Sequence, residues 1–402
     1  MDNFIFQNPT RLLFGRGMIA HLAEEIPAGK KIMLTFGGGS VKKNGVYDQV
    51  VAALKGRDFV EFWGIEPNPK IETLRKAIEL GKKEKVDFLV AVGGGSVIDG
   101  TKLIGGGLVY DGDAWDLVKK GSFTETVPVA SVLTLPATGS EMNYNGVISC
   151  LETKEKFAFV SVHPVFSILD PEATFTLPAH QLACGLADTF VHVMEQYMTC
   201  PVGQSRLMDR WAEGILMSLV EIAPEIMAFT KAPAEGEEAA AATEQDLQKK
   251  YDLMADFMLN ATMGLNGFIA MGVRQDWATH MIGHEITALT GLTHGETLAI
   301  VLPALLRELL MQKRAKLLQY GERVWGVSAG TLDNRALTAI QHTEDFFRSL
   351  GLRTHLTECM SEAEAQQLID EISRRFTERG VAFGEDANVD GAVARAILER
   401  AK

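Results

Sequence analysis

The sequence is poor in cysteine. Cys150, Cys184, Cys200 and Cys359 are the only four in 402 residues, and no two form a C-x-x-C pair. Nothing in that spacing suggests a disulfide framework, and reduced, buried thiols are the expectation. It is equally poor in long apolar runs, and none approaches the length of a membrane span. The opening Met1-Asp2-Asn3-Phe4 has no basic region followed by an apolar run, so no secretory leader is expected and the cytoplasm is the expected compartment. Basic charge is also short. Lys and Arg total 39 against 52 Asp and Glu, a net charge of −13. That balance argues against nucleic-acid or anionic-membrane partners, which require clustered Lys and Arg. There is no tandem repeat, no G-x-G-x-x-G fingerprint and no H-E-x-x-H protease motif; His284-Glu285 has no histidine at position 288.

What remains is a globular composition, 47% hydrophobic and 23% charged. The length exceeds one ordinary core and predicts two domains. In the first half, short apolar runs alternate with helical patterns. Lys31 to Phe36, Asp58 to Trp63, Phe88 to Val92 and Val129 to Leu133 read as strands, and Glu72 to Glu84 as an amphipathic helix. Fully apolar strands between helices predict a parallel sheet covered on both faces. From about Pro178 onward helical patterns dominate: Gln181 to Met198, Met208 to Phe229, Gln248 to Met263, Trp277 to Thr290, Thr297 to Leu310 and Asp333 to Leu350. The Ala- and Glu-rich stretch Lys231 to Gln245 reads as a loose, solvated connection. The expected architecture is α/β plus all-α. A Rossmann-like parallel-sheet nucleotide-binding domain covers residues 1–178 and an all-helical metal-binding domain covers 179–402, with the working cleft between them.

Three turns carry the nucleotide reading. The strand ending in Gly93-Gly94-Gly95-Ser96, with a helix and Asp99 following, suits phosphate binding. Glycines let backbone N–H groups approach an anion, and a helix N-terminus adds partial positive charge. A lone turn of this kind also fits a tight strand-to-helix connection with no ligand. Gly37-Gly38-Gly39-Ser40 follows the first α/β strand, where an adenosine ribose would lie. An acidic residue there would favour NAD. Instead Lys42 and Lys43 follow, a set that accommodates a 2′-phosphate and points to NADPH. Thr134-Leu135-Pro136-Ala137-Thr138-Gly139-Ser140-Glu141 offers hydroxyls at a strand's C-terminal end.

The metal reading comes from two helical segments. In Gln181 to Met198, Leu186, Phe190, Val193 and Tyr197 share one face, while Asp188, His192 and Glu195 fall opposite. Residues four apart point the same way, so Asp188 and His192 can share one ligand. Of nine histidines, His280, His284 and His294 lie within fifteen positions. One carboxylate with imidazoles suits a borderline divalent ion such as Zn²⁺ or Fe²⁺, placed to assist hydride transfer at an alcohol or aldehyde. Spacing alone does not say which histidines ligate.

Together these residues resemble the iron-containing (group III) alcohol dehydrogenase family along essentially the whole chain. The match is carried by Glu66-Pro67-Asn68-Pro69, by Gly93-Gly94-Gly95-Ser96 with Asp99, and by Thr134 through Glu141. It continues in Asp188-x-x-x-His192 and in His280-x-x-x-His284 followed by His294-Gly295. Gly37 to Lys43 and Asp276-Trp277-Ala278-Thr279-His280 carry a closer match to the NADPH-dependent butanol dehydrogenase and broad aldehyde reductase branch. The resemblance implies a dehydroquinate synthase-like fold. It implies Asp188, His192, His280 and His294 as metal ligands, with His284 beside the nicotinamide as a proton relay or orienting group. It also implies Gly94, Gly95, Ser96 and Asp99 at the pyrophosphate. It further implies Asn68, Thr134, Thr138, Asn145 and Lys156 as cofactor-contacting positions, beside Gly38, Gly39 and Ser40 of the expected ribose turn. A homodimer is implied too, with an N-terminal strand near Phe4 to Phe6 pairing across subunits. The stretch Lys231 to Thr243 is longer and richer in Ala and Glu than the family pattern.

Two rivals share this fold. A dehydroquinate synthase-like lyase requires several Lys and Arg for a phosphorylated, carboxylated substrate, and the segments between Asp188 and His294 carry few. Trp277, Met281 and Tyr144 suggest instead a partly apolar pocket for an uncharged substrate. A glycerol-dehydrogenase-like enzyme would differ mainly in substrate and in using NAD. A catalytically silent nucleotide sensor would have lost a ligand, and all four positions are filled.

Overall fold

The computed structural model describes residues 1–199, 201–230 and 242–402. The chain divides into two compact units. The first is built on a six-stranded, all-parallel sheet. Its strands are β1 (Arg11–Phe14), β2 (Ile32–Phe36), β3 (Phe59–Phe62), β4 (Phe88–Gly94), β5 (Val129–Leu135) and β8 (Phe166–Leu169), in the order β1-β8-β5-β4-β2-β3. All five residues of β2 are buried, as the unbroken apolar run requires. Alternation along each strand feeds two cores. Met33, Leu89 and Ala91 enter one; Ile32, Leu34, Phe36, Phe88, Val90 and Val92 enter the other. The helix Ile71–Glu84 covers the first core with Ile71, Leu74, Ala77 and Ile78, an i, i+3 pattern.

An antiparallel pair, β6 (Asn145–Cys150) and β7 (Glu155–Val160), also belongs to this unit and was not anticipated. Its polar residues Asn145, Ser149 and Lys156 hide a buried alternation at Gly146, Ile148 and Cys150.

Each unit is assembled from separate stretches of the chain. The first unit holds Gln7–Leu177 and the described residues of Glu238–Asn266. The helix Glu244–Gly264 therefore packs with the sheet rather than with the later helices. The ties are local and polar. Thr262 Oγ1 donates to Glu141 Oε1 at 2.6 Å, Lys250 Nζ to the Phe175 carbonyl at 3.0 Å, and Arg16 N to Tyr251 Oη at 3.1 Å. The start of that helix corrects the expected loose connection. Thr243 and Asp246 form a capping box, so Glu244 and Gln245 are helical. Residues 231–241 of that stretch lie outside the described residues.

The second unit holds Met1–Phe6, the described residues of Pro178–Glu237, and Gly267–Lys402. It is helical: Ala179–Tyr197, Arg206–Ala228, Ala278–Thr290, His294–Glu308, Leu310–Trp325, Leu332–Ser349, Glu362–Arg379 and Gly391–Arg400. The expected helix Thr297 to Leu310 is one of two that meet at Leu309. Leu310–Trp325, Glu362–Arg379 and Gly391–Arg400 were not anticipated. Phe4 to Phe6 form no strand within the chain; Ile5 is 100% exposed, while Asp2 N donates to the Gly272 carbonyl. Among the described residues no helix is long and apolar enough to cross a membrane. Cys150, Cys184 and Cys359 are free thiols.

Candidate metal centre and nucleotide turns

The helix Ala179–Tyr197 is buried along almost its whole length, polar face included. Asp188, His192 and Glu195 are 4%, 5% and 3% exposed. Buried carboxylates and imidazoles on one face need a common purpose, because each is costly to desolvate. His192 Nδ1 lies 3.6 Å from Asp188 Oδ1, as the four-residue spacing dictates. The helix Ala278–Thr290 brings His280 Nε2 to 3.5 Å from the same oxygen, and the helix opening at His294 brings that residue's Nε2 to 3.9 Å. Gly295 permits this approach. A Cβ there would lie 2.3 Å from the Cys184 carbonyl oxygen on the first helix.

These separations exceed a hydrogen bond. They match the spacing of neighbouring ligands on a tetrahedral ion, where bonds of roughly 2.1 Å place donor atoms about 3.4 Å apart. Asp188, His192 and His280 each offer a ligand atom within 4.8 Å of the others. His280 Nε2, which is buried, has no hydrogen-bond partner. The donor set therefore fits a divalent ion. His284 stands beside the cluster, its ring 5.0 Å from that of His294 and 6.1 Å from that of His280.

Glu195 is the residue that motif reasoning named but left without a role. Its Oε2 accepts a short bond from His280 Nδ1, and its Oε1 accepts from Thr279 N at 2.7 Å and His280 N at 3.3 Å. That contact turns Nε2 toward Asp188. Burial works against a charged His280, but Glu195, then Asp188, hold its pKa up at about 9. The signal was the seven-residue interval from Asp188, two turns along the same face. Three further ion pairs brace the histidine helices. Glu285 is gripped by Arg375 and Arg379, and Glu296 accepts from Arg353 at 2.7 and 2.8 Å.

In the sheet unit the nucleotide candidates fall into three groups. Gly38, Gly39 and Ser40 form an open turn after β2. Gly39 has φ of 96° and precedes the short helix Ser40–Lys43, and a Cβ at Gly38 or Gly39 would meet nothing within 4 Å. Lys42, in this short helix, is exposed. Its Nζ sits 4.0 Å from the centre of the Trp63 ring, a cation–π contact. Gly94, Gly95 and Ser96 end β4 and open the helix Gly95–Val109. A Cβ on Gly95 would lie 2.3 Å from Thr138 Oγ1, so only glycine lets this helix start beside the Thr138 turn. Asn68 joins here: its N–H donates to Ser96 Oγ at 3.3 Å and its Oδ1 accepts from Lys156 Nζ at 2.9 Å. Thr134 is buried near the end of β5.

Asp99, in the helix Gly95–Val109, is buried and hydrogen-bonded within the chain. Its Oδ1 accepts from Ser140 Oγ at 2.5 Å and its Oδ2 from Val147 N at 2.9 Å. Beside it Lys102, fully buried, donates to Ser140 Oγ, Asn143 Oδ1 and the Asn145 carbonyl at 2.9, 3.2 and 2.7 Å. Asp99 and Lys102 thus tie the glycine-turn helix to the Thr138–Asn145 segment. Asn145 takes part through its backbone.

A family model described as iron-containing alcohol dehydrogenase matches residues 9–171. A second, described as the C-terminal part of the Fe-containing alcohol dehydrogenase family, matches residues 182–374. The chain belongs to the iron-containing alcohol dehydrogenases. It is 48% identical to the NADPH-dependent aldehyde reductase YqhD of Escherichia coli (strain K12), over 100% of both chains. It is 42% identical to the probable NADH-dependent butanol dehydrogenase 1 of Bacillus subtilis, over 89% of this chain and 90% of that one. The crystal structure of E. coli YqhD matches with a TM-score of 0.90 at 47% identity, covering 100% of this chain and 99% of that one. NADH-dependent butanol dehydrogenase A from Thermotoga maritima matches with a TM-score of 0.87 at 34% identity, covering 100% and 99%. As a family member the chain is an oxidoreductase of the alcohol dehydrogenase and aldehyde reductase type, with the two-part α/β and helical fold of its relatives.

Proposed function

We propose that this protein reduces small, largely uncharged aldehydes of the butanal type, and oxidises the matching alcohols, with NADP(H) as hydride carrier. The observation that carries the reading is the convergence of three imidazole nitrogens, from three helices, within 3.9 Å of Asp188 Oδ1. Asp188, His192, His280 and His294 would hold Fe²⁺ or Zn²⁺, which supplies Lewis-acid polarisation of the carbonyl or alcohol oxygen. Glu195 orients His280. His284, packed against the His294 ring, moves the proton that the alcohol gains or loses. The Gly94 to Ser96 turn receives the pyrophosphate on backbone N–H groups at a helix start, with Asn68, Thr134, Thr138, Asn145 and Lys156 around the cofactor. Residues 1–178 would serve as the nucleotide-binding part and 179–402 as the metal-binding part. NADPH is favoured over NADH because Lys42, stacked on Trp63, stands beside the open Gly38–Ser40 turn and no carboxylate is in the turn itself. The relatives include both NADPH- and NADH-dependent enzymes, so the lysine and the open turn support this choice. A cytoplasmic homodimer, with Phe4 to Phe6 adding a strand to the partner, completes the reading.

A chelator should abolish NADPH-dependent reduction of butanal, and Zn²⁺ or Fe²⁺ should restore it. Full activity in metal-free protein would refute the reading. In the same assay kcat/KM should be higher with NADPH than with NADH, and the reverse order would remove the role given to Lys42. Glu195→Gln should weaken metal affinity about 10- to 100-fold, read by competition with a chromogenic chelator. Unchanged affinity would show that His280 needs no such support.

A further inference from the structure

Trp277 is the most unusual residue near the histidine cluster. Its φ is 62°, in the left-handed region. A bulky residue persists there only when its surroundings over-determine it. It precedes the helix Ala278–Thr290 with no side-chain cap of its own. The surroundings that hold it are buried and ionic. Asp276, one residue earlier, accepts from Ala278 N at 2.9 Å and from Lys313 Nζ at 2.7 Å. Lys313 Nζ also donates to both carboxylate oxygens of Glu385, at 2.9 and 2.7 Å. The Lys313, Asp276 and Glu385 side chains are 1%, 3% and 9% exposed. Backbone bonds close the frame: Asp276 N donates to the Glu195 carbonyl, and Gly384 N to the Asp276 carbonyl.

A helix start needs none of this. Asp276 already caps Ala278, and a glycine after it would accept the same backbone angle without strain. What the arrangement achieves is the placement of an indole. The ring meets those of His280 and His192 edge-on, with centroids 5.4 and 6.1 Å away, and its Nε1 donates to Gln275 Oε1 at 2.7 Å. The residue is only partly buried, so the indole also borders open space. A substrate whose oxygen is held at these histidines must place its carbon chain in the space the indole leaves.

We infer that Trp277 sets the upper size of the substrate's carbon skeleton, and that Asp276, Lys313 and Glu385 are positioning residues that fix the indole there. This rests on the function proposed above and goes beyond it by naming what limits the substrate. The strained backbone is the means: it aims a large, rigid side chain at the cluster from the residue where the helix begins.

The test compares butanal with cyclohexanecarbaldehyde in wild type, Trp277→Gly, Trp277→Phe and Lys313→Met, with metal content measured for each. Trp277→Gly removes the ring and accepts the backbone angle. It should raise the cyclohexanecarbaldehyde-to-butanal ratio of kcat/KM about tenfold or more, in line with what pocket volume contributes to discrimination. Trp277→Phe, keeping a smaller ring, should move the ratio the same way by less. Lys313→Met should move it through KM more than kcat. Calorimetric binding of cyclohexylmethanol and 1-butanol should show the same shift in the ratio of Kd values without turnover. A ratio within about twofold of wild type in metal-replete Trp277 variants overturns the inference. A uniform fall for both aldehydes with loss of metal also overturns it, because that marks Trp277 as part of the cluster's support. Inactivity of the wild type toward butanal would instead refute the proposed function.

Discussion

His280→Ala is expected to lower kcat/KM for NADPH-dependent aldehyde reduction about 1000-fold, close to 4 kcal/mol of transition-state stabilisation, and to lower bound metal in parallel. The size follows from what the residue does twice. Its Nε2 is one of three nitrogens gathered on Asp188 Oδ1, and its Nδ1 occupies Glu195 Oε2. Truncation removes a proposed metal ligand and leaves the Glu195 carboxylate, 3% exposed, with the backbone N–H groups of residues 279 and 280. His284→Ala provides the contrast. A proton-handling group contributes about 100- to 10,000-fold, and its loss should leave metal content intact. The pair separates two roles that spacing in the sequence leaves interchangeable. If His280→Ala retains full metal and activity, or His284→Ala empties the site, the assignment of ligand and relay is wrong.

That contrast marks how far the sequence is legible. Asp188 and His192 are readable as a pair because a helix enforces the i, i+4 relation whatever the rest of the chain does. The strands are readable where burial on both faces leaves an unbroken apolar run, as at Phe88 to Val92. The ordering of His280, His284 and His294 is not readable from spacing. It depends on how closely Gly295 lets one helix approach Cys184 on another, a contact between residues 111 positions apart whose only trace is a missing Cβ. Long-range packing also decided the placement of Glu244–Gly264. Its pattern announces a helix, but Thr262 reaches back to Glu141 and draws it onto the sheet unit. Asp99 is legible as part of the glycine-rich turn, but its bonds to Ser140 and Val147, 41 and 48 positions away, are not. A backbone angle such as that of Trp277 leaves no mark in composition or periodicity, because side-chain preference disfavours it.

The second large effect belongs to Lys102. Lys102→Met is expected to destabilise the sheet unit by about 3–5 kcal/mol, because removing one partner of a buried ionic network strands the others. Melting should fall by about 10 °C, at roughly 2–4 °C per kcal/mol for a unit of this size. The ammonium is 0% exposed and its three bonds hold Ser140, Asn143 and the Asn145 carbonyl, the segment beside the Gly95 helix start. Without it the Asp99 carboxylate keeps Ser140 and Val147 but loses its cation, so KM for NADPH should rise along with the loss of stability. Adding Asp99→Asn to Lys102→Met should recover part of the loss, a non-additive pair whose coupling should be about 0.5–3 kcal/mol. The pH dependence gives an independent sign. Burial lowers the Lys102 pKa to about 8, against an ordinary value of 10.5, with Asp99 opposing the shift. Between those two values the unfolded chain binds the proton more fully than the folded one, so this group makes the folded state gain stability as pH rises. The stability difference between wild type and Lys102→Met should therefore widen from pH 8 to 10.5. A difference that is flat or narrows, together with a melting shift below about 2 °C, would show that the segment is held by Asp99 and the hairpin alone.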